Sequence, residues 1–220
     1  MRQPKIYQLP VSLYSFKVRL AMSIAGASIP LAEPPGGSYR SAAYRDLVPP
    51  GTVPALVVDG FVLTEADAII EYIDETGGGA QLVAGSPERK ARIRMLSRLI
   101  DLRLEARVRA LFGHVGPVRR DSRHVGETGL RIGDELALLE WAIDAEGPFS
   151  IDHRITMPDC GIAATLTWLQ ALAPALSIPV APGPRLARVY AALNADALAG
   201  PELAGYRPLV DAWVGDELRS

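Results

Sequence analysis

Ser12 follows a short apolar segment and stands just before a helical pattern. Backbone N–H groups at a helix start lack intrahelical partners, and together with the helix dipole they favour negative charge. A hydroxyl at that point can steady an anion, or it can be a turn residue or helix cap. Spacing leaves both readings open. Ser15 fits the cap better, since an apolar-periodic run follows it at once. Other reactive side chains point to structure. Cys160, the one cysteine, lies in an apolar stretch with no histidine near it in sequence, which reads as a buried thiol. His114, His124 and His153 have no partners at ligand spacing, so no metal site is expected. Arg92, Arg94, Arg98, Arg103, Arg107 and Arg109 are interleaved with Glu88, Asp101 and Glu105, which reads as a solvated helix face. Gly77-Gly78-Gly79 follows a helical pattern and opens no strand-to-helix turn, so it reads as linker rather than phosphate cradle.

The elements that must position these residues change character near residue 76. Before it, strand candidates at Lys5–Gln8 and Ile29–Ala32 flank a helix over Ser15–Ala25, with Gly26 as its stop. Strand–helix–strand order favours a parallel pair. A Pro/Gly-rich loop over Glu33–Ser38 leads to a brief helix at Ser41–Leu47. Val53–Val58, Asp59-Gly60 and Phe61–Leu63 read as strand, tight turn and strand. A helix over Glu65–Glu75 completes this half. After Pro87 only helical patterns appear: Glu88–Leu111, Gly129–Ala145, Met157–Leu172, Arg185–Leu193 and Pro208–Leu218. The expected organisation is therefore residues 1–76 as an α/β domain, 77–86 as linker and 87–220 as an all-helical domain.

Composition narrows the function classes. The 220 residues carry 23 Lys+Arg against 25 Asp+Glu, a formal charge of −2, which disfavours a nucleic-acid binder. A share of 49% apolar and 22% charged residues suits a globular core. A single cysteine permits no internal disulfide, in keeping with a reducing cytoplasm. The N-terminal stretch from Met1 is too short and broken for a signal sequence. No charge occurs from Cys160 to Gly183, but Pro174, Pro179 and Pro182 interrupt the run, so a buried core helix is expected and no membrane span.

Four segments carry a family resemblance. Tyr7-Gln8-Leu9-Pro10-Val11-Ser12-Leu13-Tyr14-Ser15 is similar to the first strand, catalytic loop and first helix of serine-type glutathione transferases. Pro49-Pro50-Gly51-Thr52-Val53-Pro54-Ala55-Leu56 is similar to their NPxGxVPxL segment. Thr64-Glu65-Ala66-Asp67-Ala68-Ile69 is similar to their [QE]SxAI segment, and Thr156-Met157-Pro158-Asp159 to their [ST]xxD capping box. The first half looks zeta-like. The resemblance implies a thioredoxin-like N-terminal domain, its CxxC replaced, followed by an all-helical C-terminal domain.

It also implies chemistry. Ser12 would donate to the bound thiol of glutathione, a co-substrate, and lower its pKa from about 8.5. Tyr14 stands where zeta-like members carry cysteine and would face either the second substrate or the packing; the missing cysteine puts their isomerase chemistry in question. Tyr7, near the tyrosine position of other members, reads as core. Val53-Pro54 resembles the family's cis-proline site, where the backbone of Val53 pairs with extended glutathione. Glu65 would meet the γ-glutamyl ammonium. Ala66 replaces the serine that meets the γ-glutamyl carboxylate, leaving its backbone N–H. Arg40, with Arg45 as runner-up, would meet the glycyl carboxylate, and Asp101 resembles the acidic residue that reaches glutathione across a dimer interface. The function implied is a cytoplasmic, homodimeric glutathione S-transferase acting on small hydrophobic electrophiles without metal. The alternatives are a glutathione-dependent dehalogenase, lyase or isomerase, or a non-catalytic binding module on the same fold.

Overall fold

The computed structural model describes residues 4–77 and 82–220, so Met1 and the linker residues Gly78 and Gly79 lie outside the described residues. The chain divides into two compact units, Met1–Val83 and Ala84–Ser220.

The first unit runs β1 (Lys5–Tyr7), α1 (Leu13–Ala25), β2 (Leu31–Ala32), α2 (Ala42–Leu47), β3 (Ala55–Val58), β4 (Phe61–Leu63) and α3 (Ala66–Gly77). Its sheet has the order β2-β1-β3-β4, with β1 parallel to β2 and antiparallel to β3, and β3 antiparallel to β4. This mixed sheet with its helices is the thioredoxin-like arrangement expected. The β3–β4 turn uses Asp59 and Gly60 at φ of 47° and 87°, the left-handed pair that two-residue hairpins need. α1 and α3 send Phe16, Leu20, Ile69, Ile70 and Ile73 into the core. A second cluster of Tyr44, Val48 and Ala55 is closed by Tyr7, Tyr39, Leu47 and Val53.

The second unit contains α4 (Pro87–Leu99), a π-helical turn (Ile100–Glu105), α5 (Ala106–Ala110), α6 (Ser122–Ala142), α7 (Met157–Ala175), α8 (Pro184–Ala195) and α9 (Ala199–Arg219). α7 is its centre: every residue from Met157 to Leu169 is buried, so the lack of charge from Cys160 onward reflects a protein core. No described helix is long and apolar enough to cross a membrane. Two helix starts differ from the sequence expectation. α6 begins at Ser122, not Gly129, because Asp121 caps it and Gly129 is required inside: a Cβ there would sit 2.6 Å from Ile178 Cγ2. α9 begins at Ala199, not Pro208. Proline removes the N–H that would reach the Ala204 carbonyl, but both residues are exposed and water can serve that carbonyl.

Candidate functional site

Three segments of the first unit carry the expected site. The first is the loop from β1 into α1. Ser12, not Ser15, is the N-cap of α1, and its Oγ accepts the Ser15 N–H at 3.3 Å. The helix starts earlier than its apolar run suggests, which places Ser15 in the first turn, buried, with its Oγ accepting the Leu9 N–H at 3.4 Å. Capping uses one lone pair of the Ser12 hydroxyl and leaves its hydrogen, which no described residue accepts. An oxygen that already accepts a hydrogen bond is the better donor for it. Arg19, two turns along α1, holds the loop from beneath: its guanidinium donates to Gln8 Oε1 at 2.7 Å and to the Pro10 carbonyl at 2.9 Å. Tyr14 is half-buried in the first turn of α1, while Tyr7 packs edge-on against Tyr44 with ring centroids 5.7 Å apart.

The second segment is the approach to β3. The Val53–Pro54 peptide bond is cis, and β3 accordingly starts at Ala55 rather than Val53. Sequence reading did not find the residue that fixes this bend. Tyr44 is fully buried on α2, and its hydroxyl donates to the Thr52 carbonyl at 2.7 Å. Burial, with a smaller contribution from Tyr7, pushes the Tyr44 phenol up to about 12, so it remains a neutral donor. Only an aromatic residue following two alanines in a short helical pattern hinted at it. Gly51, at φ of 61°, lets the Arg45 side chain lie across the same loop; a Cβ at that position would meet Arg45 Nε at 3.1 Å. Arg40 is exposed, with its guanidinium over the Tyr39 ring at 5.3 Å.

The third segment is the entry to α3. Glu65 is exposed and has φ of 68°, a conformation that costs a non-glycine residue of order 1–3 kcal/mol and persists where its surroundings over-determine it. Its carbonyl accepts the Ile69 N–H at 3.0 Å, so Ala66, buried, is the first helical residue. The next residue, Asp67, forms an ion pair of 2.6 Å with Lys17 of α1. That pairing was not legible either, since the two residues are fifty positions apart.

In the second unit, Asp101 lies half-buried in the π-helical turn. Arg92, Arg103 and Arg109 pair with Asp144, Glu135 and Glu105, which accounts for much of the arginine-rich face. Cys160 is buried in α7. The His114 and His124 rings stack at 4.5 Å, brought together by the turn between them. Among the described residues no three metal-binding side chains come together.

The comparisons with known proteins cover the same part of the chain. Residues 6–81 match the family described as "Glutathione S-transferase, N-terminal domain". A maleylacetoacetate isomerase of Rhizobium meliloti is 32% identical over 167 residues, covering 70% of this chain and 76% of that protein. The chain belongs to the glutathione S-transferase family. Its zeta-like N-terminal half, read from the motifs, is thereby shown. Another maleylacetoacetate isomerase, from Pseudomonas aeruginosa, is 39% identical over 101 residues, 44% of this chain and 48% of its own. The chain thus spans about half the length of several curated relatives that it matches. A theta class glutathione S-transferase from Xanthomonas axonopodis pv. citri, solved with glutathione bound, shares the transferase fold at TM-score 0.76 and 23% identity, over 92% of this chain and 98% of the other.

Proposed function

We propose that the protein is a glutathione-dependent transferase whose residues 1–76 bind the tripeptide and whose residues 87–220 form its all-helical domain. Ser12 carries the reading: it is a capped hydroxyl at the α1 start with its hydrogen uncommitted. It donates to the glutathione sulfur, and the hydrogen bond together with the α1 dipole favours the thiolate over the thiol. The thiolate then attacks the electrophilic carbon of a small hydrophobic substrate, and the leaving group departs with its electron pair. Val53 pairs its backbone with the extended tripeptide, Glu65 takes the γ-glutamyl ammonium, the Ala66 N–H the γ-glutamyl carboxylate, and Arg40 the glycyl carboxylate. Arg45, already lying across the Gly51 loop, is the second cation for that end. Tyr14 lines the approach of the second substrate. In a cytoplasmic homodimer, Asp101 reaches the glutathione of the partner subunit. No metal enters this reading.

The test is Ser12→Ala. Removing an oxyanion-hole donor from a buried site costs about 2.7–4 kcal/mol, and a half-exposed hydroxyl is expected to fall below that, roughly a tenfold to hundredfold loss of turnover. The titration midpoint of bound thiol, followed by thiolate absorbance, should rise. Unchanged turnover and midpoint would transfer the role to Tyr14 or Tyr7.

A second reading is glutathione-dependent isomerisation, favoured by the identity to relatives named as maleylacetoacetate isomerases. The two separate on stoichiometry. A transferase consumes one glutathione per turnover, whereas an isomerase acting on a cis-configured enedione returns it unchanged.

A further inference from the structure

Lys17 is fully buried on α1, and its ammonium lies 2.6 Å from Asp67 Oδ1, whose side chain is 14% exposed. A lysine is almost never buried to that degree unless it is paired. Asp67 is the second residue of α3 and the acidic residue of its first turn. A carboxylate at that position would, uncompensated, answer the positive end of the helix dipole and repel a second anion brought to the same turn. In the folded unit its charge is instead turned towards α1 and cancelled there.

We propose that Lys17 is the internal counter-ion of Asp67 and keeps the α3 start electrically open to the γ-glutamyl carboxylate of glutathione. Lys17 is thus a positioning residue that acts through Asp67 and touches no substrate. The inference rests on the functional reading above, and it accounts for an arrangement that reading leaves unexplained: an acidic residue stands one position beyond the N–H assigned to an anion. With Lys17 present the first turn of α3 is close to neutral. Without it the turn carries an unbalanced negative charge beside the carboxylate it should hold.

The experiment measures binding of S-methylglutathione by calorimetry to the wild-type chain, Lys17→Met, Asp67→Asn and the double variant. This ligand has no thiol to activate, so it reads capture of the tripeptide independently of Ser12. Lys17→Met should weaken binding by about tenfold or more, the effect of roughly 1.4 kcal/mol. The double variant should regain most of that loss, although its α1–α3 link remains cut. The loss should be much smaller for S-methylcysteinylglycine, which lacks the γ-glutamyl group. Equal binding by wild type and Lys17→Met overturns the proposal, as does a double variant that binds as weakly as Lys17→Met. Where Lys17→Met does not fold, Asp67→Asn should bind S-methylglutathione at least as tightly as the wild type, since it leaves the Lys17 charge unopposed, and a tenfold loss in Asp67→Asn would overturn the proposal. A wild-type chain that binds neither glutathione nor S-methylglutathione removes the functional reading itself, a result distinct from wild-type binding that is indifferent to Lys17.

Discussion

Helix starts in the two units solve the same electrostatic problem in opposite ways. At four starts of the second unit the chain supplies its own anions, whereas α4 begins under the Ser86 hydroxyl with Glu88 in its first turn. Asp121 accepts the Arg123 and His124 N–H groups at the start of α6, and Glu140 accepts those of Arg185 and Leu186 at the start of α8. Asp196 accepts from Leu198 and Ala199 at α9. At α7, Asp159 accepts from Ser150 N at 2.8 Å and from both Thr156 N and Thr156 Oγ1 at 2.7 Å. Burial pushes the Asp159 carboxyl up, against the pull of these donors. In the first unit, α1 and α2 start under neutral hydroxyls, Ser12 and Ser41, with no acidic residue in either first turn. α3 carries one, and Lys17 offsets it. A helix start that already holds a carboxylate has its dipole answered from within, whereas the α1 start, under a hydroxyl and with no acidic residue in its first turn, does not.

Breaking the closed side should have the largest effect. Asp159→Ala leaves the Ser150 and Thr156 N–H groups buried without acceptors, at about 1–3 kcal/mol each, and should cost roughly 3 kcal/mol or more of unfolding free energy, read by denaturant titration. A loss below 1 kcal/mol would mean that this start does not need its anion. The open side is sharpened by Ala66→Ser, which adds a charge-assisted hydrogen bond at the α3 start. Glutathione binding should tighten by about tenfold, the effect of roughly 1.4 kcal/mol, with no gain for thiols lacking the γ-glutamyl group. Ser12→Ala should lower stability by only about 1 kcal/mol, the usual value of a hydroxyl cap, while the turnover loss described above is larger. A stability loss as great as that of Asp159→Ala would erase the contrast. Tyr44→Phe removes the hydrogen bond to the Thr52 carbonyl and should raise the KM for glutathione a fewfold, corresponding to about 1 kcal/mol, with kcat nearly unchanged.

The smallest effect concerns pH. Burial alone would raise the Asp144 carboxyl. Hydrogen bonds from Arg92 and the Asp152 N–H, with the charges of Arg92 and Arg89, hold it below the ordinary aspartate range. A depressed folded value gives stability that is fully present above the unfolded pKa of about 3.9 and lost as pH falls through the folded value. Asp144→Asn should therefore flatten the acid limb of the stability profile below about pH 4. The change should stay under about 1 kcal/mol, because the pair with Arg92 is partly exposed.

What could be read from sequence was local. The β1–α1–β2 unit, the Asp59-Gly60 hairpin, the Gly26 stop and the Thr156–Asp159 box each depend on residues a few positions apart, and each is present. The exchange of roles between Ser12 and Ser15 was missed because an apolar period marks the buried face of a helix, not its first turn. The starts of α6 and α9 were missed because glycines and a proline lower local propensity, which tertiary packing and an exposed face then override. Tyr44 beneath Thr52, Lys17 against Asp67 and the His114–His124 stack join residues that sequence spacing does not bring together. The fold was therefore more legible than the devices that hold the candidate site in shape.

The burial of Cys160 in α7 has a consequence for oxidative chemistry. This thioredoxin-like unit has neither cysteine of a CxxC pair, and the chain's one thiol lies inside the other unit at 0% exposure. Mixed-disulfide formation requires a thiolate to reach a sulfur in line, so oxidised glutathione has nothing to exchange with on the folded chain. The folded chain is thereby insulated from glutathionylation.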